Sequence, residues 1–495
     1  MAPIPVDLII EHGYIVTMDP QNRCIEDGAV AVLNGAIVCV DSTAHVQTHY
    51  QAQTTLDARH KVVMPGLIDT YGHAGHGMVK GIRHPELGWP TNPLYFHATT
   101  EKWWYAEGLL SALERLRFGV TCGFSVIGAT PARMDSPVFA ERQAQAVAEV
   151  GIRGVLGVGP PDPYISHLPE PWTSTIWDGE TPQERIFTFD DAMRNTVSFI
   201  KRWHNAAGGR VQAALHYPYL FGRLASHPRI PFIYDDSYVP LMIEKAEEVR
   251  EVADRHQVLL HSHAFNGSLD FAVEKYGIER VHRLLATPLV LAHCNGLAES
   301  EVAILGEASA GIAVVPFTHE NVLYNPCPVV ELLQAGANVT ISTDGTAPYC
   351  SYDLFKEISR AMWTQWMAHT NQHILPPGKA LRMVTIDAAR ALGLEQKIGS
   401  LEVSKRADII LIDMNKPHLI PTTHVPRLLA FYINGNDVDT VIVDGQILMR
   451  ERQIQHIDET AIMEMVSEEA QRAFQRFDVS RYLEIDDEFW LGPAP

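Results

Sequence analysis

Four stretches of this chain end in side chains that bind metal ions or move protons. One apolar run is followed by Tyr71 and His73, and three later runs are followed by His263, His293 and Asp344. Neutral imidazole and carboxylate are ligands that a borderline divalent ion prefers. Three protein ligands and a water make a catalytic zinc site. The pattern therefore predicts a metal centre held by His73, His263 and Asp344, in which the bound water becomes hydroxide near neutral pH.

The same four motifs resemble, in order along the chain, strand-end motifs of the amidohydrolase superfamily. The first reads Val62-Val-Met-Pro-Gly-Leu-Ile-Asp-Thr-Tyr-Gly-His73, and the motifs of strands five, six and eight end in His263, His293 and Asp344. The spacing is most similar to the cytosine/guanine deaminase and triazine hydrolase group. The resemblance implies a metal-dependent hydrolase in which Asp344 is both ligand and base. It also implies that His293 stabilises the developing oxyanion.

Two residues depart from the pattern of those relatives. Their first strand carries His-x-His, whereas this chain has Tyr71 in the first position. In those relatives the strand-five histidine begins a His-x-x-Glu motif, whereas this chain has Asn266 in place of the glutamate. Asparagine can hydrogen-bond but cannot shuttle protons. We expect both residues to line the substrate pocket. Tyr71 as a phenolate metal ligand is the alternative, which its pKa near ~10 disfavours. Deamination of a purine or pyrimidine is less expected than the overall similarity suggests.

Further candidates lie near the predicted barrel mouth. His76 either supplies the missing metal ligand or contacts substrate in the pocket. His319 and Glu320 are ionisable groups after strand seven. One of them could take the acid/base role that the missing glutamate leaves open, or both belong to an exposed loop. Trp89, in the aromatic segment 84–105, either caps a pocket for a flat substrate or anchors the loop in the core.

The elements that must position these residues alternate between apolar strands and helical patterns, which indicates βα units and a parallel sheet. With the family as template, eight strands are predicted at 62–69, 119–126, 153–158, 211–216, 258–263, 288–293, 312–316 and 339–343. They predict an α/β fold, a TIM-like (β/α)8 barrel over 63–402. Short β-branched runs at both chain ends, 1–62 and 403–455, predict one small β-sandwich. Residues 456–495 are predicted to form a C-terminal helix, amphipathic over 459–476, and a tail.

Composition is typical of a large soluble enzyme. The 495 residues include 39 Lys plus Arg and 59 Asp plus Glu, and the net charge of −20 disfavours nucleic acid and anionic membranes as partners. The N-terminus has no basic and apolar pattern of a secretory signal, and no apolar stretch nears the ~20 residues of a membrane span. The six cysteines show no paired spacing. We expect a cytoplasmic homo-oligomer, a dimer or higher, whose partner is a small-molecule substrate.

Taken together, the sequence predicts a metal-dependent hydrolase that cleaves a carbon–nitrogen bond of a small cyclic or aromatic molecule through a metal-activated water. The bond could belong to an amide, a cyclic amide or an amine. One divalent metal per chain is expected, Zn²⁺ first, with Fe²⁺ or Mn²⁺ as alternatives. Two other functions stay open: a lyase or decarboxylase reaction at the same site, and a barrel that has lost catalysis and serves as a scaffold.

Overall fold

The structure is a computed structural model of the chain, and it describes residues 2–84, 88, 90–162, 170–222, 236–317, 325–347, 349–485 and 489–490. Its strands, numbered in chain order, are β1 (Ile4–Val16), β2 (Cys24–Leu33), β3 (Ala36–Ser42), β4 (Tyr50–Asp57), β5 (Lys61–Pro65), β6 (Leu67–Asp69), β7 (His73–Ala74), β8 (Val120–Ile127), β9 (Arg153–Val158), β10 (Trp172–Asp178), β11 (Thr181–Phe187), β12 (Val211–His216), β13 (Leu259–Phe265), β14 (Leu289–Asn295), β15 (Gly311–Val314), β16 (Asn338–Ile341), β17 (Ile409–Asp413), β18 (Val438–Val443), β19 (Gln446–Arg450) and β20 (Gln453–Ile454).

The α-helices of the described residues cover the barrel and the end sheet. They are Thr43–His49, Thr91–His97, Glu101–Arg117, Val138–Val150, Phe189–Trp203, Ala206–Gly209, Val239–His256, Ser268–Tyr276, Ile278–Leu284, Glu299–Glu307, Val329–Gln334, Leu354–His369, Pro377–Arg382, Ile386–Ala391, Val425–Phe431 and Glu459–Arg476. Among the described residues, none of these helices is both long and apolar enough to cross a membrane.

The strands of the barrel form one parallel path in the order β16, β15, β14, β13, β12, β9, β8 and β6, with β7 also paired to β8. All eight predicted strands are present, and the predicted (β/α)8 barrel is confirmed. Their side chains are almost entirely buried, as expected for strands covered on both faces. The carboxyl ends of the strands meet at one mouth, where the candidate residues lie.

The first predicted strand, 62–69, is divided between two sheets. β5 belongs to the sheet of the chain ends, β6 belongs to the barrel, and Gly66 separates them. A Cβ at Gly66 would lie 2.1 Å from Thr121 Oγ1, so the backbone can cross onto β8 at this point only without a side chain. The predicted boundary at residue 62 therefore falls inside a strand that continues to Pro65.

Both chain ends build one sheet, as the sequence predicts. It joins nine strands, β1 to β5 and β17 to β20, into one hydrogen-bonded sheet where a small β-sandwich was predicted. The reason is the length of β1, which pairs in parallel with β4 along its first part and with β5 along its end. β17 then pairs antiparallel with β5 and attaches the C-terminal strands. Consecutive β1 residues enter apolar clusters on opposite faces, Leu8 and Ile10 in one and Ile9 in the other.

The predicted C-terminal helix is present as Glu459–Arg476. Asp458 begins it by accepting a hydrogen bond from the Ala461 amide at 3.1 Å. Its buried residues, Ile462, Val466, Glu469 and Ala473, recur every three or four positions, which is the spacing of one helix face.

Candidate active site

The seam between the first and eighth barrel strands brings the candidate residues together. A parallel bridge joins Gly72 to Asp344, and the Asp344 amide donates to the Tyr71 carbonyl oxygen at 3.0 Å. Beside it, Asp69 accepts hydrogen bonds from the Thr343 amide at 3.1 Å and from the Thr343 hydroxyl at 2.7 Å. Closure of the barrel therefore fixes the Asp344 backbone next to that of Tyr71.

The Tyr71 hydroxyl lies at the centre of the cluster. Its Oη is 2.8 Å from Nε2 of His73 and 2.8 Å from Nε2 of His263. The other ring nitrogen of each histidine faces a backbone carbonyl, with His73 Nδ1 2.8 Å from Gly128 O and His263 Nδ1 3.0 Å from Pro218 O. Because a carbonyl oxygen only accepts, both Nδ1 atoms carry hydrogens. Both Nε2 atoms are thereby aimed at the phenol.

Asp344 completes the cluster. Its Oδ1 is 3.3 Å from His73 Nε2, and its Oδ2 is 3.9 Å from His293 Nε2. Burial opposes ionisation of this carboxyl, but the hydrogen bond with His73 and the charges of His73, His293 and His76 hold its pKa well below the ordinary value. Asp344 and His293 have φ values of 60° and 70°, so the chain leaves the extended conformation at both residues. Asp344 is thus a carboxylate at neutral pH, held where the strands end.

The hydrogen-bond partners define where the protons lie. Burial and the nearby charge of Asp344 raise the pKa of Tyr71 well above its ordinary value, so the phenol stays neutral and has one hydrogen to donate. Burial and the neighbouring imidazoles lower the pKa of His263 well below its ordinary value, which makes it a neutral acceptor. Tyr71 therefore donates its hydrogen to Nε2 of His263.

The other predicted residues are only partly assembled with this cluster. His76 is buried, and its ring stacks on His73 with the ring centroids 4.5 Å apart. It also packs against Gly345, where a Cβ would lie 1.5 Å from His76 Nδ1. Asn266 is exposed just after β13. Three predicted site residues lie outside the described residues: Trp89, His319 and Glu320.

Two other aromatic residues of segment 84–105, Tyr95 and Trp103, are core residues. Tyr95 and Trp103 are fully buried, and their rings pack against each other and against Trp104. The loop-anchoring interpretation of segment 84–105 therefore holds for these side chains.

A second pair of histidines, His216 and His261, lies beside the cluster. The Nδ1 atoms of His216 and His261 are 3.0 Å apart, and the His261 ring stacks on Tyr71 with centroids 4.9 Å apart and planes 11° from parallel. Burial and neighbouring imidazoles lower the pKa of both, to about 3 for His216. The signal available in the sequence was the i, i+2 spacing of His261 and His263, which places both side chains on the same face of β13.

Two buried glutamates that no motif indicated hold the loops of the site. Glu107 accepts hydrogen bonds from the Ser111 hydroxyl and from the amides of Gly75, Gly77 and Met78, at 2.6 to 3.1 Å. Glu301 accepts from the amides of Gly267 and Leu269, both at 2.9 Å, in the loop after β13. These carboxylates position the segments that follow His73 and His263.

The donor types of the cluster suit a divalent metal, but with the Tyr71 hydroxyl among them their arrangement does not. Among the described residues, no group of three or more His, Cys, Asp or Glu side chains is placed to hold a metal ion. Two ligands that share a tetrahedral zinc ion at about 2.0–2.1 Å lie about 3.3 Å apart. Both imidazole contacts of Tyr71 are 2.8 Å, the length of a hydrogen bond. The predicted ligand set of His73, His263, Asp344 and His76 is therefore not assembled around an ion position.

The fold and the residues at its mouth define a class of barrel hydrolases, and comparison with known proteins identifies the family. The amidohydrolase family pattern matches residues 62–448, and the chain belongs to this family. The 5'-deoxyadenosine deaminase of Methanosarcina mazei is 30% identical over 476 residues, which cover 94% of this chain and 97% of that protein. The 5-methylthioadenosine/S-adenosylhomocysteine deaminase of Desulforudis audaxviator is also 30% identical, over 94% of this chain and 99% of that protein.

Two solved structures show the same fold at lower identity. The adenosine deaminase of Xanthomonas campestris, solved with bound zinc, has a TM-score of 0.77 and 23% identity, over 96% of this chain and 100% of that chain. The atrazine chlorohydrolase of Arthrobacter aurescens, complexed with zinc, has a TM-score of 0.74 and 20% identity, over 94% of this chain and 100% of that chain. The predicted family, fold and enzyme class, a hydrolase of carbon–nitrogen bonds, are confirmed.

Proposed function

We propose that this chain hydrolyses a carbon–nitrogen bond of a small molecule that contains a ring. The observation that carries the proposal is the ionised Asp344, which faces both His73 and His293 at the mouth of an amidohydrolase barrel. A carboxylate can orient the attacking water. Neighbouring imidazoles can stabilise the negative charge that develops on the oxygen or nitrogen bonded to the attacked carbon.

Each of these residues has a distinct part in the proposed reaction. Asp344 accepts a hydrogen bond from the attacking water and orients it, a task suited to a carboxylate whose low pKa keeps it charged. His293 Nε2 lies 3.9 Å from Asp344 Oδ2, beyond hydrogen-bond length, so both atoms can contact the same bound molecule. His293 then stabilises the negative charge that forms on the substrate. His73 keeps Asp344 ionised and in place.

The bond that is cleaved is the finer part of the proposal. The two relatives named above are deaminases of adenosine-type molecules, which supports a purine nucleoside as one candidate substrate. Release of ammonia needs a proton delivered to the leaving nitrogen, and Asn266 cannot deliver one. A cyclic amide is the other candidate beside a ring amine, and its ring nitrogen also takes up a proton as the C–N bond breaks, so the replacement at Asn266 does not separate the two.

The divalent metal predicted from the sequence enters this proposal only through the solved relatives that contain zinc. Their identity to this chain is below 25%, so they support the fold and not the ion. The residues of this cluster do not fit the metal as they are arranged. The roles proposed for Asp344, His293 and His73 therefore rest on these side chains alone.

The test is a substrate panel for the purified full-length chain. It contains 5'-deoxyadenosine, 5-methylthioadenosine and unsubstituted cyclic amides, with ammonia release and ring opening followed separately by mass spectrometry. Asp344→Asn is expected to lower kcat/KM at least about 1,000-fold. The matched control Glu279→Gln, at an exposed position, should keep the rate of the parent. Turnover that survives Asp344→Asn would remove Asp344 from the reaction.

A barrel that binds without catalysis is the second candidate, and the pair of replacements Tyr71 and Asn266 favours it. Its signature is a panel compound that binds with a measurable Kd and is recovered unchanged. A product that has lost carbon dioxide, or one with a new double bond and no added water, would instead indicate a lyase.

A further inference from the structure

The position of the Tyr71 oxygen has a consequence for metal binding by this chain. We propose that the Tyr71 hydroxyl takes the place of a metal ion, so that His73, His263 and Asp344 bind a phenol where their arrangement would otherwise bind a divalent cation. The inference concerns the cluster itself and does not depend on the proposed reaction.

The contacts of Tyr71 Oη support this assignment. It lies 2.8 Å from Nε2 of both His73 and His263, and the Asp344 carboxylate lies 3.3 Å from the same His73 atom. A tyrosine reaches further from its backbone than a histidine does, by roughly one metal–nitrogen bond of about 2 Å. The Nε2 atom of a histidine at position 71 would therefore lie about one metal–nitrogen bond short of the position of Tyr71 Oη, as a ligand does. The longer tyrosine places its oxygen where the ion would lie.

The donor atoms are oriented as they would be for a cation. Each Nδ1 is fixed by a backbone carbonyl, Gly128 O for His73 and Pro218 O for His263, and this is how proteins orient metal-binding imidazoles. The 3.3 Å between His73 Nε2 and Asp344 Oδ1 equals the spacing of two ligands on a tetrahedral ion of about 2.0–2.1 Å bond length. The two contacts of Tyr71 Oη, both 2.8 Å, are shorter than this spacing.

The ring of Tyr71 cannot easily leave this position. It is 1% exposed and stacks on His261 from one side. His73, His263 and His293 meet it edge-on, with centroids 5.2, 5.5 and 5.3 Å away. A close-packed interior leaves no rotamer into which the ring could swing without displacing these neighbours. An ion that enters must therefore displace the phenol against packing and hydrogen bonds together.

The experiment measures metal on the purified full-length chain without substrate. Parent, Tyr71→His and the control Tyr71→Phe are loaded with Zn²⁺, dialysed, and assayed for metal content and by calorimetric titration with Zn²⁺. The parent is expected to retain less than about 0.2 zinc per chain. Tyr71→His, which adds an imidazole and removes the oxygen from the ion position, should retain close to one and bind at least about 100-fold more tightly. Tyr71→Phe should not gain a site, because its ring still fills the space and supplies no ligand.

Two results would overturn the inference, and each is independent of any activity assay. A parent that keeps about one zinc per chain shows that the cluster accepts an ion beside Tyr71. A Tyr71→His variant with the parent's thermal transition but no zinc shows that the phenol is not what excludes the ion. As a further check, His263→Ala in the Tyr71→His background should remove the gained zinc, whereas the exposed change His282→Ala should leave it.

Discussion

Glu107 offers the sharpest test of how the site is held in place. Its Oε1 accepts hydrogen bonds from the amides of Gly75 and Gly77 and from the Ser111 hydroxyl, and its Oε2 accepts from the Met78 amide at 3.0 Å. The side chain is fully buried, and burial raises its pKa although these hydrogen bonds oppose the shift. The segment it holds carries His76 and follows His73.

The perturbation is Glu107→Gln, which keeps the shape and replaces one acceptor by an NH₂ group. With the amide oxygen at the Oε1 position, the Met78 N–H then faces a donor and is left buried without a partner, at a cost of about 1–3 kcal/mol. The other three hydrogen bonds lose their charged acceptor, about 0.5–1 kcal/mol each. Relief of the buried charge offsets part of this sum. We expect the unfolding free energy to fall by about 2–4 kcal/mol.

The assay is urea unfolding, together with hydrogen exchange of the peptide that covers residues 74–79. The control is Glu101→Gln in the same helix, because Glu101 is exposed and pairs with the exposed Arg142 at 2.8 Å. Such a pair contributes about 0–1 kcal/mol. Equal stability of Glu107→Gln and Glu101→Gln, with unchanged protection of residues 74–79, would refute the account of Glu107 as the anchor of this segment.

Three further predictions concern the seam, the loop after β13 and the buried histidines. Asp69→Asn, which weakens the contacts with Thr343, should lower the unfolding free energy by about 1–3 kcal/mol; no change in the urea midpoint would count against the seam as described. Glu301→Gln should cost a similar amount and raise exchange in residues 265–270, while Glu299→Gln at an exposed position should do neither. His216 and His261 have lowered pKa values, so below about pH 6.5 the unfolded chain takes up protons that the folded chain does not. Stability is therefore complete above pH 6.5 and should fall by about 1 kcal/mol for each residue between about pH 7 and pH 5.5, in urea titrations at the two pH values. Equal unfolding free energies at both would contradict neutral burial of this pair.

The residues of the candidate site could be found from the sequence because each follows a local signal. Apolar runs of strand length end just before His263, His293 and Asp344, and parallel strands bring their carboxyl ends to one mouth. The helix Glu459–Arg476 was equally visible, since its buried positions recur with helical spacing. These features depend on neighbours along the chain.

The division of the first apolar run could not be found in this way. Residues 62–68 carry no polar side chain, because both sheets bury them, and Gly66 marks the division only through its contact with Thr121. The strand pairing within the sheet of the chain ends could not be found from local sequence either. The sequence predicts that both chain ends build one unit, but β5 and β17 are distant in sequence, and nothing local shows that these two strands pair with each other.

What the sequence by itself determined was which chemical groups this protein brings to the mouth of its barrel. What only the tertiary structure decided was how those groups are paired. Glu107 meets amides that lie 29 to 32 residues before it, and no local pattern connects them. Tyr71 was visible as an exchange of histidine for tyrosine, but its consequence depends on where its oxygen ends in three dimensions. That position results from side-chain length and close packing inside the closed barrel, which place the hydroxyl between His73 and His263.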